Sequence, residues 1–356
     1  MKKIETIFIM FFLVSTSFLP FVHADTKNTS GNTIYVDDDN TDGPWDGTSA
    51  HPFQSIQEGI NAAKPDDTVF VRNGFYAERR IECRTCVTLL GENQDETIIK
   101  GNESLESYFL ILSTSIRISN FTFYDYVICE SSFNNTQKAE DKSIIIDNNT
   151  ISSPVGFISA DMNSTHGVTL IENNTFVNAD NEGFFGIFLI PSYLKTTITH
   201  NDISGFEMGI VGSGDLKIHR NTISNCSYYG IGAIPNASFQ ISITENNFFE
   251  NTNDVFFGYF INLSLQKEVS FLSKVHLDRV VCNYLNDCSF YGQRNHRRFI
   301  KVDHNYWDEK TGFGPKLLLG SFGLTYPCFL RKGYNELIIP WILFDWRPAQ
   351  DPFDTF

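Results

Sequence analysis

The stretch IIDNNTISS, residues 145–153, is followed by four copies of itself: LIENNTFVN at 170–178, TITHNDISG at 197–205, KIHRNTISN at 217–225 and SITENNFFE at 242–250. Aligned, the copies put Ile146, Ile171, Ile198, Ile218 and Ile243 in one column and Asn149, Asn174, Asn201, Asn221 and Asn246 in a second. Ile151, Phe176, Ile203, Ile223 and Phe248 form a third. Successive Asn residues are 25, 27, 20 and 25 positions apart. A period of that length marks a solenoid, in which each unit is too small to bury its own apolar face and buries it against its neighbours.

Two apolar residues five positions apart cannot share one side of an unbroken strand, because strand side chains alternate. The chain must bend between them, and the Asn stands at the bend. Asn tolerates the left-handed conformation that a sharp turn requires, and an Asn column stacked coil on coil would form a hydrogen-bonded amide ladder. A short apolar strand with a Gly follows each copy: VGFI (155–158), FGIF (185–188), MGIV (208–211), YGIG (229–232) and FGYF (257–260). Strand, bend, strand, Gly strand and return loop make one coil of an all-β, single-stranded parallel β-helix. The β-branched, Asn-rich content excludes helical repeats of similar period.

Weaker copies extend the array. RISNFTFYD (117–125) keeps Ile118 and Phe123 but moves its Asn to 120, and KVDHNYWDE (301–309) keeps Val302, Asn305 and Trp307. DTVFVRNGFY (67–76), VTLLGEN (87–93) and ETIIKGN (96–102) read as strands closed by Gly or Asn turns. The β-helix is therefore expected over 67–310, with 252–300 fitting the pattern poorly, as a long lateral loop would. Solenoid ends need caps. HPFQSIQEGINAAKPDD (51–67), within an N-terminal cap at 25–66, predicts an amphipathic helix with Phe53, Ile56, Ile60 and Ala63 on one face and Pro65 ending it. Residues 311–356, rich in aromatic residues and Pro, predict a C-terminal wrap.

Lys2 and Lys3 precede an apolar run from Ile7 to Phe21, and Val22 and Ala24 offer a signal-peptidase site, so 1–24 reads as a secretory signal and the chain as secreted or displayed at the cell surface. No further apolar run predicts a transmembrane anchor. With 27 basic against 42 acidic residues, the net charge of −15 argues against nucleic acid as a partner. Seven Cys permit disulfides and leave one over; Cys83 with Cys86 and Cys282 with Cys288 are the pairs nearest in sequence.

The opening IYVDDDNTDGPWDGTSAHPFQSIQEGINAAKPDDTVFVRNGFYAE, the NNTI coils and the closing NYW, GP, IPW and FDWRPA elements resemble the exported right-handed parallel β-helix proteins common in archaea. These are similar to the pectin-lyase-like fold and to carbohydrate-binding and sugar-hydrolysis repeats, with nitrous-oxide-reductase accessory β-helix proteins as distant relatives. The resemblance covers nearly all of the mature chain. It implies a right-handed helix and leaves function open, since one fold hosts many activities. It brings polysaccharide lyase or glycoside hydrolase chemistry into consideration, yet the polygalacturonase motif set is absent. The pectate-lyase phrases survive only as Val302-Asp303-His304 and Arg347-Pro348.

Stacking offers its own candidates. Beside the Ile column run two polar columns: Asp147, Glu172, Thr199, His219 and Thr244, then Asn148, Asn173, His200, Arg220 and Glu245. Asp147 above Glu172 would be a carboxylate pair about 5 Å apart, suited to glycosidase chemistry, with His200, Arg220 and Glu245 on adjoining rungs. DDNTDG (38–43) matches the first half of a calcium loop through Asp38, Asn40 and Asp42, although Ser49 stands where the bidentate Glu belongs. QRNHRRFIK (293–301) gathers Arg294, His296, Arg297 and Arg298, a grip for acidic glycans. Four Met and scattered His form no soft-ligand cluster in sequence. The leading expectation is a non-catalytic surface β-helix that binds polysaccharide or another cell-surface glycan, or that serves structurally. A pectin-lyase-like enzyme and a metal-delivery accessory protein are the alternatives.

Overall fold

The computed structural model describes residues 31–101, 107–131, 142–160, 167–179, 183–233, 240–257, 300–303, 305–307, 316–328, 333–345, 348, 349 and 352. The expected signal at 1–24, the residues 258–299, and with them Arg294, His296, Arg297 and Arg298, lie outside the described residues.

The fold is a parallel β-helix with three strand faces. On the first face Ile118, Ile146, Ile171, Ile198, Ile218, Ile243 and Val302 pair in unbroken register. The second face is a nine-stranded sheet whose central column runs Tyr76, Ile99, Phe123, Ile151, Phe176, Ile203, Ile223, Phe248 and Trp307. The third face stacks Ile81, Phe109, Ile128, Phe157, Ile187, Ile210, Ile231 and Val255. All of these side chains but Val302, whose side chain lies outside the described residues, form one buried core. Each contributes about 2 kcal/mol by leaving water. The repeated Gly of the third face has a steric cause: a Cβ on Gly156, Gly186 or Gly209 would stand 2.5–2.7 Å from the carbonyl oxygen of the next coil's Gly.

The bend differs from the sequence expectation by one residue. The left-handed conformation belongs to Asn120, Asn148, Asn173, His200, Arg220 and Glu245, with φ between 53° and 65°. The Asn that follows is buried and builds the ladder. Asn201 shows the pattern: its Oδ1 accepts from the backbone N–H of Asn174 at 3.0 Å, and its Nδ2 reaches Ile171 O, Thr199 O and Asn221 Oδ1, each at 2.9 Å. The same bonds link Asn149, Asn174, Asn201, Asn221, Asn246 and Asn305. Asp345 closes the ladder, accepting from Asn305 N–H at 3.0 Å and Trp307 Nε1–H at 3.1 Å. At the other end, the N–H of buried Phe121 donates to Asn149 Oδ1.

Both ends also depart from expectation. Stacking begins before residue 67, because Thr33–Val36 pairs in parallel with Thr68–Val71. The capping helix is Ile56–Ala62, opened by a Ser55/Glu58 capping box, with Ile56, Gly59 and Ile60 buried. Phe53 precedes the helix and bridges to Val36. Glu78 accepts from the N–H groups of Ile56 and Gln57 at 2.6 and 3.1 Å, and its burial pushes the carboxyl above its ordinary range. At the C-terminus, Lys316–Cys328 and Gly333–Asp345 form an antiparallel hairpin, where an extended wrap was expected. Its first strand joins the third face through Phe256 and Phe257.

Inside the stack, Lys142 Nζ lies 2.7 Å from Glu130 Oε1, with both side chains almost wholly buried, and Ser159 Oγ–H donates to Glu130 Oε2 at 2.6 Å. Breaking such a pair costs about 3–5 kcal/mol, while replacing both partners by apolar groups does not. Lys142→Met is therefore expected to lower the guanidinium midpoint sharply, and Lys142→Met with Glu130→Leu to recover most of it. Asn201→Ala, which strands the buried Asn174 N–H and removes a donor from the Ile171 and Thr199 carbonyls, is expected to cost about 3 kcal/mol in the same measurement.

Candidate functional site

The ladder fixes what lies beside it. The first-face strands end in register on Ser119, Asp147, Glu172, Thr199, His219, Thr244 and Asp303. Each from Ser119 to Thr244 is followed by a left-handed residue, so two polar columns run along one edge of the stack with coils ~4.8 Å apart. Asp147, Glu172, His200, Arg220 and Glu245 all lie on this edge.

Their pairing is not the expected one. Asp147, 6% exposed, accepts from Arg117 Nε at 2.9 Å and Arg117 Nη2 at 2.6 Å, and from Ser119 Oγ at 3.2 Å. Those bonds hold it against the preceding coil and raise the Arg117 guanidinium above its ordinary range. Glu172 faces the following coil, with Oε1 3.7 Å from His200 Nδ1. The two stacked carboxylates thus have separate partners. Arg117 escapes sequence reasoning because its copy of the repeat carries the Asn one position early. The signal that finds it is its register opposite Ile145, diagonal to Asp147.

Further along, His200 Nδ1 lies 3.0 Å from Thr199 Oγ1, and His219 Nδ1 lies 3.2 Å from Thr244 Oγ1. Glu245 Oε2 accepts from Arg220 Nε at 2.9 Å and stands 3.9 Å from His219 Nε2. Partial burial pushes the His219 imidazole below its ordinary pKa, against the opposing pull of Glu245, and this favours the neutral ring. Adjacent coils therefore carry two imidazole–carboxylate pairs, Glu172 with His200 and His219 with Glu245.

Two of the three residues expected to hold calcium have partners of their own. Asp38 Oδ2 accepts the Phe75 N–H at 2.9 Å, Asn40 Nδ2 donates to Pro52 O at 2.7 Å, and Asp42 is exposed. The carboxylates that cluster are Asp37, Asp38 and Asp39, within 4.8 Å of one another, and Asp37 is tied to Arg72 at 2.9 Å. Three of the four described free thiols, Cys83, Cys129 and Cys226, are buried, and Cys86 is half-buried. Burial pushes the Cys83 thiol up to about 11 and those of Cys129 and Cys226 to about 12, so thiolate is scarce at neutral pH. Met208 is buried as well.

Residues 60–259 match the family described as "Periplasmic copper-binding protein (NosD)", and the chain belongs to that family. No curated protein and no solved structure matches it. The family is one of right-handed β-helices, and its location makes the chain extracytoplasmic. Among the described residues no helix is long and apolar enough to cross a membrane. The family's metal is copper, not calcium. Three described donors from His, Cys, Asp and Glu lie within 4.8 Å of one another only at Asp37, Asp38 and Asp39. The polar edge thus presents donor pairs and no closed cage. Imidazole and carboxylate suit Cu(II), whereas Cu(I) prefers the buried sulfur ligands.

Arg117→Ala leaves Asp147 nearly buried with only neutral donors. Because Arg117 is half exposed, the expected loss is modest, about 1–2 kcal/mol, read as a guanidinium-midpoint shift that Arg117→Lys restores in part.

Proposed function

Starting from that family membership, we propose that the chain is an extracytoplasmic copper-handling accessory protein. Its β-helix acts as a rigid, non-catalytic frame that presents His200 and His219, backed by Glu172 and Glu245, to Cu(II). The observation that carries this reading is the pair of imidazole–carboxylate couples on adjacent coils, at 3.7 and 3.9 Å. A carboxylate beside each ring offers an oxygen donor next to the imidazole nitrogen, a mixed set that Cu(II) accepts. An ion held by one or two such donors keeps coordination positions open for another protein's ligands, which is what handing an ion onward requires.

The alternative of an extended polysaccharide surface has less support. Exposed aromatic side chains would need to share a column, yet among the described residues Phe75 and Tyr124 fall in different columns of the second face, and Trp45 and Tyr228 lie outside the strands.

The test is to titrate Cu(II) into the purified chain by calorimetry and record its electron paramagnetic resonance spectrum. Nitrogen hyperfine structure from imidazole is expected. His200→Ala with His219→Ala should remove that structure and weaken binding at least tenfold, without changing thermal stability by more than a few degrees. Unchanged copper binding in the double variant would rule this site out.

A further inference from the structure

At the capped end, the helix Ile56–Ala62 and the strand Arg80–Cys83 wall a cavity of about 500 Å³. That volume lies within the ~300–1,000 Å³ range of small-molecule sites. Its charged lining consists of Arg80, Glu82 and Arg84. The segment RRIECR (79–84) is thus a basic cluster that neither the repeat nor the copper reading uses.

Glu82 stands between the two guanidinium groups: one carboxylate oxygen pairs with Arg80, and the other lies 2.9 Å from Arg84 Nη2. A guanidinium carries five N–H donors, so each arginine retains donors beyond those given to Glu82. The two side chains are 52% and 71% exposed, which leaves those donors reachable. The Arg80 guanidinium carbon also lies 5.2 Å from the Tyr108 ring centroid, a cation–π contact that restrains it. The wall behind is fixed as well. Gln57 Oε1 accepts the Glu82 N–H at 2.7 Å, and Gln57 Nε2 donates to Glu82 O at 3.1 Å and Asn61 Oδ1 at 3.0 Å. Asn61 and Thr85 add an amide and a hydroxyl to the lining.

Two arginines and one glutamate leave the cavity with one excess positive charge on a chain whose net charge is −15. A single carboxylate closes that balance, and its planar geometry matches the guanidinium fork. A dianion would overshoot it, and a neutral sugar would leave the charge unanswered.

We propose that this cavity binds a small hydroxylated monocarboxylate, a sugar acid or a hydroxy acid, with the carboxylate on Arg80 and Arg84 and the hydroxyls on Asn61 and Thr85. The site is separate from the polar edge and does not depend on copper.

The test uses the purified chain in metal-free buffer, with calorimetry and saturation-transfer NMR against galacturonate, lactate, glucose and sulfate. Saturable binding of galacturonate or lactate, with none of glucose, is expected, and the tighter of the two identifies the ligand as sugar acid or hydroxy acid. Arg84→Gln and Arg80→Gln should each weaken it at least tenfold, and His200→Ala should leave it unchanged. Arg84 is exposed, so its variant is expected to keep the parent's thermal unfolding curve, which makes its binding result interpretable even if Arg80→Gln misfolds. The proposal is overturned by no saturable binding of either carboxylate, by binding that survives Arg84→Gln undiminished, or by sulfate binding as tightly.

Discussion

The amide ladder running from Asn149 to Asn305 is the constraint to which the rest of the fold conforms. Each rung satisfies backbone groups at a place where the chain turns from one face to the next, where strand pairing alone would leave them buried without partners. From Asn149 to Asn305 each coil must therefore deliver an Asn to the same point, whatever its length. The intervals range from 20 residues to the 59 between Asn246 and Asn305. Asp345 ends the series by the same logic. Its neighbours Asn305 and Trp307 offer only donors, and a carboxylate is an acceptor-only group.

Because the buried Asn carries the structural burden, the residue before it is free to vary, and it varies along the stack. Asn occupies the left-handed position at 120, 148 and 173, where the strain is smallest. His200, Arg220 and Glu245 take the same conformation on the next three coils. Left-handed backbone in residues other than Gly or Asn costs on the order of 1–3 kcal/mol each and persists where the surroundings over-determine it. The ladder on one side and in-register strands on the other supply that determination. Three consecutive departures from Asn, all toward ionisable side chains, are the feature of the repeat that packing does not explain.

The sequence makes the columns legible because a solenoid repeats its contacts at the period of its residues, so aligned letters become stacked side chains. What it hides is anything that depends on a single position or direction. In the doublets Asn148-Asn149 and Asn173-Asn174, one Asn turns and the other bonds, and composition cannot say which. Alignment places Asp147 over Glu172, but it does not show that Arg117 on the preceding coil holds Asp147 while Glu172 faces His200. The strand Thr33–Val36 is too short to announce itself beside an Asp-rich turn, and the hairpin from Lys316 to Asp345 follows no repeat. Its apolar, Pro-bearing sequence reads equally as a wrap.

The distribution of donors along the stack decides which metal chemistry is open to it. Among the described residues the soft ligands Cys83, Cys129, Cys226 and Met208 are buried and Cys86 is half-buried, and burial raises the first three thiols to about 11 or 12, which keeps them protonated as well as enclosed. Reaching them would mean opening a core in which each side chain stabilises its neighbours by about 2 kcal/mol. Imidazoles and carboxylates lie outside the ladder, where no packing must be broken. An ion that meets this surface therefore meets borderline nitrogen and oxygen donors in pairs. A rigid strand register sets the spacing of those pairs, so the protein itself has little freedom to wrap the ion. On the copper-handling reading proposed above, completing the coordination shell would be left to whatever approaches from solvent, which is the physical difference between a site that stores a metal and one that passes it on.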